Sequence, residues 1–232
     1  MGRIVAIGGG DLATTQELNR YMIELSGKSQ PNVLFIGTAS RDDEGYVENF
    51  KSAFQNIGGL VESLALVKKV YLEKEIEELL YWADVIYVGG GDTVSMLKIW
   101  KEFSLDERLK EIYREDRAVL GGISAGAMCW FSCGHSDSEA FTGDSNWHYR
   151  IVDGMLGIHP FAYCPHYNEE GRTSFDEMLK GKNIRGLAME SETAFVDVNG
   201  EISFIRSRDN AKAYWLDWDN DKLKKKEVAF EE

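Results

Sequence analysis

The first half of the chain alternates short apolar runs with amphipathic stretches, and this alternation restricts the fold more than any other feature. The apolar runs have the length of strands and lie at 3–7, 32–36, 59–66, 84–88 and 118–123. The amphipathic stretches carry apolar residues at helical spacing and lie at 14–26, 46–56, 72–83, 93–100 and 105–115. Strands joined by helices run parallel through right-handed crossovers, which place helices on both faces of a sheet. The sequence therefore predicts an α/β fold, three-layered and doubly wound around a mostly parallel sheet.

The second half of the chain has a different texture. Residues 132–150 are polar and without a clear period, so we expect an irregular excursion there. A helical piece is predicted at 172–179, and strands at 184–189, 194–198, 201–205 and 213–216. The Asn199-Gly200 pair between two of these strands is a strong hairpin signal, and the last dozen residues read as a tail. Because the chain contains no linker or repeat, we expect a single domain over 1–232.

The formal net charge of −13 limits the partners of the protein. An acidic surface repels phosphates, which argues against nucleic acid and against a membrane surface as partners. No apolar run reaches the roughly 18 residues needed to cross a bilayer, and the first ten residues read as a strand rather than a signal peptide. The three cysteines, Cys129, Cys133 and Cys164, form neither a disulfide framework nor a C-x-x-C pair. A reduced, cytoplasmic setting is the simplest expectation.

A G-x-S-x-G motif ends the fifth apolar run, at 122–126. Between a strand and a helix, such a motif forms a sharp turn that presents the serine at the tip of a sheet. Side chains two positions before and after the serine would collide with neighbouring segments, and Gly122 and Gly126 remove that collision. The N–H of Ala125, at the start of the following helix, would point towards an oxyanion. We therefore predict that Ser124 is a nucleophile.

Two more glycine-rich turns follow predicted strands, at 8–11 and 89–91. The carboxyl ends of parallel strands meet at one edge of a sheet, where functional groups concentrate. Consecutive glycines let backbone N–H groups approach a substrate closely, so Gly90 or Gly91 is the expected second oxyanion donor beside Ala125. The turn at 8–11 begins a G-x-G-x-x-A pattern, but the next strand lacks the acidic residue that would bind a ribose. We interpret it as a close turn that packs beside the active centre.

A serine nucleophile needs a base, because its hydroxyl is scarcely ionised at neutral pH. The four histidines are the candidates: His135, His148, His159 and His166. His166 lies where a strand-like run meets a polar loop, which is where a base facing the carboxyl edge of the sheet belongs. A carboxylate should then fix the imidazole tautomer. Glu190 directly follows an apolar run and Glu192 is its close competitor, and their positions in the sequence leave this choice open.

Four motifs together resemble the peptidase E (aspartyl dipeptidase) family of serine peptidases. They are G-G-I-S-A-G-A at 121–127, V-G-G-G-D-T at 88–93, C-P-H-Y at 164–167 and G-L-A-M-E at 186–190, in the order found in the family. The resemblance implies a class I glutamine amidotransferase-like (flavodoxin-like) fold with C-terminal β-hairpin elements, in which serine replaces the cysteine nucleophile. It also implies a triad of Ser124, His166 and Glu190. The implied oxyanion donors are Ala125 and a glycine of the 89–91 turn, foremost Gly90.

The resemblance also implies a substrate class. Members of the family remove an N-terminal aspartate from dipeptides, and an arginine after the histidine loop is associated with gripping the aspartate side chain. Arg172 occupies such a place, although the loop is shorter here and the chain has P-H-Y where the family's aspartyl dipeptidases have P-H-F. A short peptide is therefore the expected substrate, with Arg172 as a candidate substrate-binding residue. The resemblance implies no cofactor and no metal, and it is compatible with a homodimer.

Three other functions fit parts of the sequence. A cyanophycinase-like hydrolase of aspartate-linked polymers would share the serine turn and would act on β-linked aspartyl peptides. An esterase of the α/β-hydrolase type would pair Ser124 with Asp144 or Asp153 and then with His166, although such enzymes carry their triad in the order Ser, Asp or Glu, His. A non-enzymatic protein would use the turn at 8–11 to bind a nucleotide phosphate.

Overall fold

The computed structural model describes residues 2–231. Up to residue 123 it contains β1 (Arg3–Ile7), α1 (Gln16–Leu25), β2 (Asn32–Ile36), α2 (Glu44–Asn56), β3 (Leu60–Leu64), α3 (Glu73–Trp82), β4 (Val85–Val88), α4 (Thr93–Glu102), α5 (Leu105–Glu115) and β5 (Val119–Ile123). The remainder contains α6 (Ala125–Met128), β6 (Phe131–Ser136), β7 (Arg150–Asp153), β8 (His159–Cys164), α7 (Ser174–Met178), β9 (Gly186–Met189), β10 (Thr193–Val198), β11 (Glu201–Arg206), β12 (Ala213–Asp219) and β13 (Lys222–Glu227). Two 3-10 turns occupy Thr38–Ser40 and Ser138–Thr142.

A seven-stranded sheet contains all the strands predicted in the first half of the chain. Its order is β11-β10-β1-β5-β4-β2-β3, and the pairs among β1, β5, β4, β2 and β3 are parallel. Antiparallel β10 and β11 extend one edge, and Val198 pairs with Glu201 across the predicted Asn199-Gly200 turn. The predicted α/β class with a mostly parallel sheet is therefore confirmed, and the ends of the ten predicted elements differ from the observed ones by two residues at most.

The core lies on both faces of this sheet. Successive residues of a strand point to opposite faces, so Ile4 packs in one core cluster and Val5 in the other. Helices α1 and α2 cover the Val5 face. Helices α3, α4 and α5 cover the Ile4 face together with residues of β6, β8 and β9. Strands buried on both faces are apolar throughout rather than alternating, which is the pattern that the sequence displays.

A second sheet corrects two expectations for the other half of the chain. It has six strands in the order β13-β12-β9-β8-β6-β7. β6 lies in the segment expected to be irregular, and it is almost wholly buried despite its polar composition because β7 and β8 pair with it on both sides. β13 lies in the expected tail and forms an edge strand rich in lysine. Lysines keep such an edge from pairing with another chain. Because they occupy most positions of β13, the strand has no hydrophobic period in the sequence.

Candidate active site

The carboxyl ends of β1, β5 and β4 lie side by side in the first sheet. β5 is the middle strand of the three, with Ile123 paired to Ile7 of β1 and Gly122 paired to Val88 of β4. The glycine-rich turns that follow these strands therefore meet at one edge, where parallel sheets place their functional groups.

Ser124 occupies a strained turn between β5 and α6. Its backbone has φ 55° and ψ −115°, a conformation that residues other than glycine rarely adopt. Two glycines permit the turn. A Cβ on Gly126 would stand 2.1 Å from the carbonyl oxygen of Val88, and one on Gly122 would stand 2.4 Å from the same oxygen. The half-buried Ser124 is thereby held against the end of β4 and lines the cavity described next.

A cavity of about 810 Å³ opens at this edge of the sheet. Ser124 and His166 both line it, together with Gly90 of the turn after β4. The rest of the lining is mostly apolar or amide: Gly10, Leu12, Ala13, Gln16, Tyr46, Asn49, Ala53, Asn56, Tyr87 and Ile123. Within residues 2–231, Asp11 is the one carboxylate in the lining and no lysine or arginine contributes to it. A backbone hydrogen bond from Thr14 lowers the pKa of Asp11, so this carboxylate is ionised at neutral pH.

The two backbone donors expected at an oxyanion hole lie beside Ser124. A Cβ built on Gly90 would stand 3.4 Å from the Cβ of Ser124, and the N–H of Gly90 donates to the hydroxyl of Tyr46 at 3.4 Å. Ala125 is the first residue of α6, so its N–H has no partner within the helix. Gly91 instead packs against Ala39, with φ 138° and no room for a side chain. Of the two glycines left open by the sequence, Gly90 is the one that adjoins Ser124.

His166 is held across the cavity by the turn after β1. Its backbone is in the left-handed region, with φ 53°, and its N–H donates to the carbonyl oxygen of Gly8 at 2.9 Å. The imidazole packs on Gly9, where a Cβ would stand 2.4 Å from Nδ1. Burial lowers the pKa of His166, so the ring is neutral near pH 7 and can accept a proton. The turn at 8–10 thus packs directly against His166 and its ring.

The carboxylate beside the imidazole is Glu169. Its Oε1 lies 2.9 Å from Nδ1 of His166, and the hydroxyl of Ser191 lies 3.4 Å from the same nitrogen. The structure places the two carboxylates considered from the sequence elsewhere. Glu190 accepts a hydrogen bond from the N–H of Lys212 at 3.0 Å, and Glu192 is paired with Arg208.

A signal for Glu169 was present in the sequence but weak. The residue lies three positions after His166, and its N–H donates to the carbonyl oxygen of His166 at 2.8 Å. This turn brings the two side chains together, but in an irregular loop the spacing of residues along the chain does not predict such a turn. Among residues 2–231, no hydrogen bond joins the imidazole to Ser124. Catalytic hydrogen bonds are often long without substrate and shorten when it binds.

The other three histidines lie away from the cavity. His135 is fully buried, with Nε2 3.0 Å from the hydroxyl of Ser174, and burial lowers its pKa to about 3. His159 is buried beside Asp197, with an N–O distance of 3.2 Å. His148 is exposed in the loop before β7. His166 is therefore the histidine that shares a cavity with Ser124.

Arg172 does not line the cavity. Its guanidinium is buried, donates to Asp137 at 2.7 Å and to the carbonyl oxygen of His135 at 3.0 Å, and lies over the ring of Tyr149. These contacts join the start of α7 to the end of β6. In this position Arg172 stabilises the second sheet, and its charge is already paired.

Replacing Arg172 with alanine should lower the free energy of unfolding by about 3 kcal/mol, because breaking a buried ion pair leaves its partners without a donor. Urea unfolding measures this change. Arg20→Ala, on the exposed side of α1, is the matched control and should change stability by no more than about 0.5 kcal/mol. Unchanged stability together with a raised KM for aspartyl peptides would instead assign Arg172 to substrate binding.

Within residues 2–231, no three or more His, Cys, Asp or Glu side chains are grouped so that they could hold a metal ion. No helix in this part of the chain has both the length and the apolar composition required to span a bilayer.

Comparisons with known proteins identify the family of this chain. The model of peptidase family S51 matches residues 4–205. A Bacillus subtilis protein named "Uncharacterized peptidase YgaJ" is 33% identical over 221 residues, which cover 92% of this chain and 91% of the relative. A Drosophila melanogaster protein named "Probable alpha-aspartyl dipeptidase" is 27% identical over 200 residues, or 82% of this chain and 79% of the relative.

A solved structure shares the fold. The crystal structure of a putative peptidase E protein from Listeria monocytogenes superposes with a TM-score of 0.67 at 23% identity, covering 89% of this chain and 98% of the other. The expected resemblance to peptidase E is confirmed by these matches. The family match argues against the esterase of the α/β-hydrolase type. The aspartates considered for that alternative, Asp144 and Asp153, are exposed and do not line the cavity.

Proposed function

Because this chain belongs to peptidase family S51 and is a serine-type peptidase, we propose that it is a dipeptidase that cleaves short peptides through an acyl-enzyme on Ser124. One observation carries the proposal. A serine in a strained turn and a neutral imidazole face the same cavity, where backbone N–H groups are close to the serine. This is the set of parts that acyl transfer by a serine hydroxyl requires.

The proposed reaction has two halves. The hydroxyl oxygen of Ser124 attacks the peptide carbonyl carbon while His166 accepts the hydroxyl proton. The N–H of Ala125 donates to the oxyanion, and so does the N–H of Gly90 once it gives up its long contact of 3.4 Å with the hydroxyl of Tyr46. Each such donor is worth about 3–4 kcal/mol of barrier. His166 then gives its proton to the leaving amine as the C–N bond breaks, which leaves an ester on Ser124. A water molecule, deprotonated by His166, hydrolyses this ester and regenerates the serine.

The charges of the cavity bear on the first residue of the peptide. The Drosophila relative is named for aspartyl dipeptides, and a side-chain carboxylate is bound most strongly by a cation such as an arginine. Within the described residues the lining contains no lysine or arginine and one ionised carboxylate, Asp11, and Arg172 is paired with Asp137. We therefore propose that an uncharged first side chain is preferred over aspartate.

A panel of dipeptides tests both parts of this proposal. Asn-Leu and Asp-Leu differ in charge but hardly in shape, so their kcat/KM ratio isolates the effect of the side-chain charge. We expect Asn-Leu to be favoured about tenfold, equivalent to ~1.4 kcal/mol, with Ala-Leu and Leu-Leu also cleaved. Released leucine is the measured product. A higher kcat/KM for Asp-Leu would contradict the charge argument, and cleavage confined to β-linked aspartyl-leucine would favour the cyanophycinase-like alternative.

A further inference from the structure

We propose that Glu169, and not Glu190 or Glu192, is the carboxylate that positions His166 for catalysis. This inference rests on the proposed function, since a positioning residue has a role only if His166 is the base. It differs from the triad implied by the family resemblance, in which Glu190 takes this place.

The first support is the contact itself. A base that takes a proton from a serine needs one ring nitrogen towards the serine and the other bound to an acceptor that fixes the tautomer. Oε1 of Glu169 lies 2.9 Å from Nδ1 of His166; with the ring hydrogen on Nδ1, the carboxylate is the acceptor that fixes this tautomer. Nε2 is then left without a hydrogen, as the proton acceptor of the ring.

The second support is the local backbone. The N–H of His166 donates to the carbonyl oxygen of Gly8, and its own carbonyl oxygen accepts from the N–H of Glu169. These two hydrogen bonds hold the backbone of the loop in place at His166 and at Glu169. The carboxylate therefore approaches the ring from within the same turn. With its side chain about half exposed, Glu169 also keeps part of its hydration, which lowers the penalty for holding a charge beside the ring.

The third support is that the competing carboxylates have other partners. Glu190 receives the N–H of Lys212, a bond that ties the turn after β9 to the start of β12. Glu192 is paired with the guanidinium of Arg208. In the structure both carboxylates are therefore bound to partners other than the imidazole, whereas the carboxylate of Glu169 is in contact with it.

The charges around the imidazole determine what the pH dependence should report. The ring faces Gly9 from the turn after β1, Ser191 from the turn after β9, and Glu169 from its own loop. Arg172 and Asp137 act at longer range with opposite signs. Burial lowers the pKa of His166, and the carboxylate of Glu169 raises it in part. Removing the charge of Glu169 should therefore lower this pKa further.

The experiment compares three isosteric variants, Glu169→Gln, Glu190→Gln and Glu192→Gln, with the conservative Glu169→Asp. Glu170→Gln is the matched control, because this neighbouring glutamate is exposed. For each protein, kcat and KM are measured on one cleaved dipeptide, with kcat/KM followed from acid to neutral pH. Ser124→Ala supplies the blank, and urea unfolding checks that every variant is folded.

We expect Glu169→Gln to lower kcat at least about tenfold, with KM little changed. The upper limit is about 10⁴-fold, which is the loss when a fully buried triad carboxylate is neutralised. The acid limb of kcat/KM should move to lower pH, because the neutral ring persists further into acid. Glu169→Asp keeps the charge, so it should keep the wild-type acid limb and recover part of kcat.

Three results would overturn the inference while leaving the proposed function intact. The first is a Glu169→Gln protein that retains more than half of the wild-type kcat with an unmoved acid limb. The others are a loss of kcat in Glu190→Gln or Glu192→Gln that exceeds the loss in Glu169→Gln, and a loss in Glu170→Gln that equals it. Peptide cleavage by Ser124→Ala would instead overturn the proposed function itself. The two failures are therefore distinguishable in a single series.

Discussion

Replacing Ser124 with alanine is expected to remove essentially all peptide cleavage, with kcat falling on the order of 10⁶-fold, as when a serine peptidase loses its nucleophile. The oxyanion donors and the cavity remain in the variant, so a small residual rate above that in water should persist. The loss should appear in kcat rather than KM, because one oxygen atom is deleted from the lining and the rest of the cavity is kept. Release of leucine from a cleaved dipeptide, followed over days, measures the residual rate.

A matched serine shows whether this loss is specific. Ser26 follows α1, where its hydroxyl donates to the carbonyl oxygen of Ile23 at 2.6 Å, and it does not line the cavity. Ser26→Ala should retain the wild-type kcat, and both variants should unfold near the wild-type urea midpoint. Activity of Ser124→Ala above about one per cent of wild type would rule out Ser124 as the nucleophile, since no uncatalysed route approaches that rate.

Replacing Gly126 with alanine should disrupt both the stability and the activity of the protein. The new methyl group would stand 2.1 Å from the carbonyl oxygen of Val88 and 2.9 Å from that of Gly89. These are backbone atoms at the end of β4 and cannot rotate aside, so strand or helix must move. We expect the free energy of unfolding to fall by about 3 kcal/mol, the upper part of the usual range for overpacking.

The same displacement should reach the chemistry, because the end of β4 leads directly to Gly90. If the N–H of Gly90 no longer points at the oxyanion, the loss of this one donor is expected to lower kcat about 10²- to 10³-fold. Urea unfolding and dipeptide kinetics on the folded fraction separate the two effects.

Gly45 is the matched control for Gly126. It lies in the first turn of α2, where the nearest atom to an added Cβ is a side-chain oxygen of Asp43 at 3.3 Å. Alanine is favoured over glycine in a helix by up to about 1 kcal/mol, so Gly45→Ala should be neutral or slightly stabilising and fully active. A Gly126→Ala protein with wild-type stability would show that the turn after β5 tolerates a side chain, contrary to the geometry.

Strands that are buried on both faces were the easiest part of the fold to predict. The bounds of β1 and β2 were predicted correctly because their apolar runs are continuous and are flanked by glycine, proline or polar residues. β6 and β13 were missed for the opposite reason. Their pairing partners stabilise them through backbone hydrogen bonds, and neither their polar nor their lysine-rich composition has the period of a half-buried strand.

The amino-acid sequence alone determined the α/β architecture, the serine turn and the cluster of glycine-rich loops at one sheet edge. These follow from local rules: hydrophobic period, the need for glycine where backbones approach closely, and the geometry of parallel strands. Only the tertiary structure decided which carboxylate contacts His166, which glycine adjoins Ser124, and that Arg172 is paired with Asp137. A side-chain contact depends on rotamers and on the partners that compete for each charge, and those are set when distant segments pack rather than by the spacing of residues along the chain.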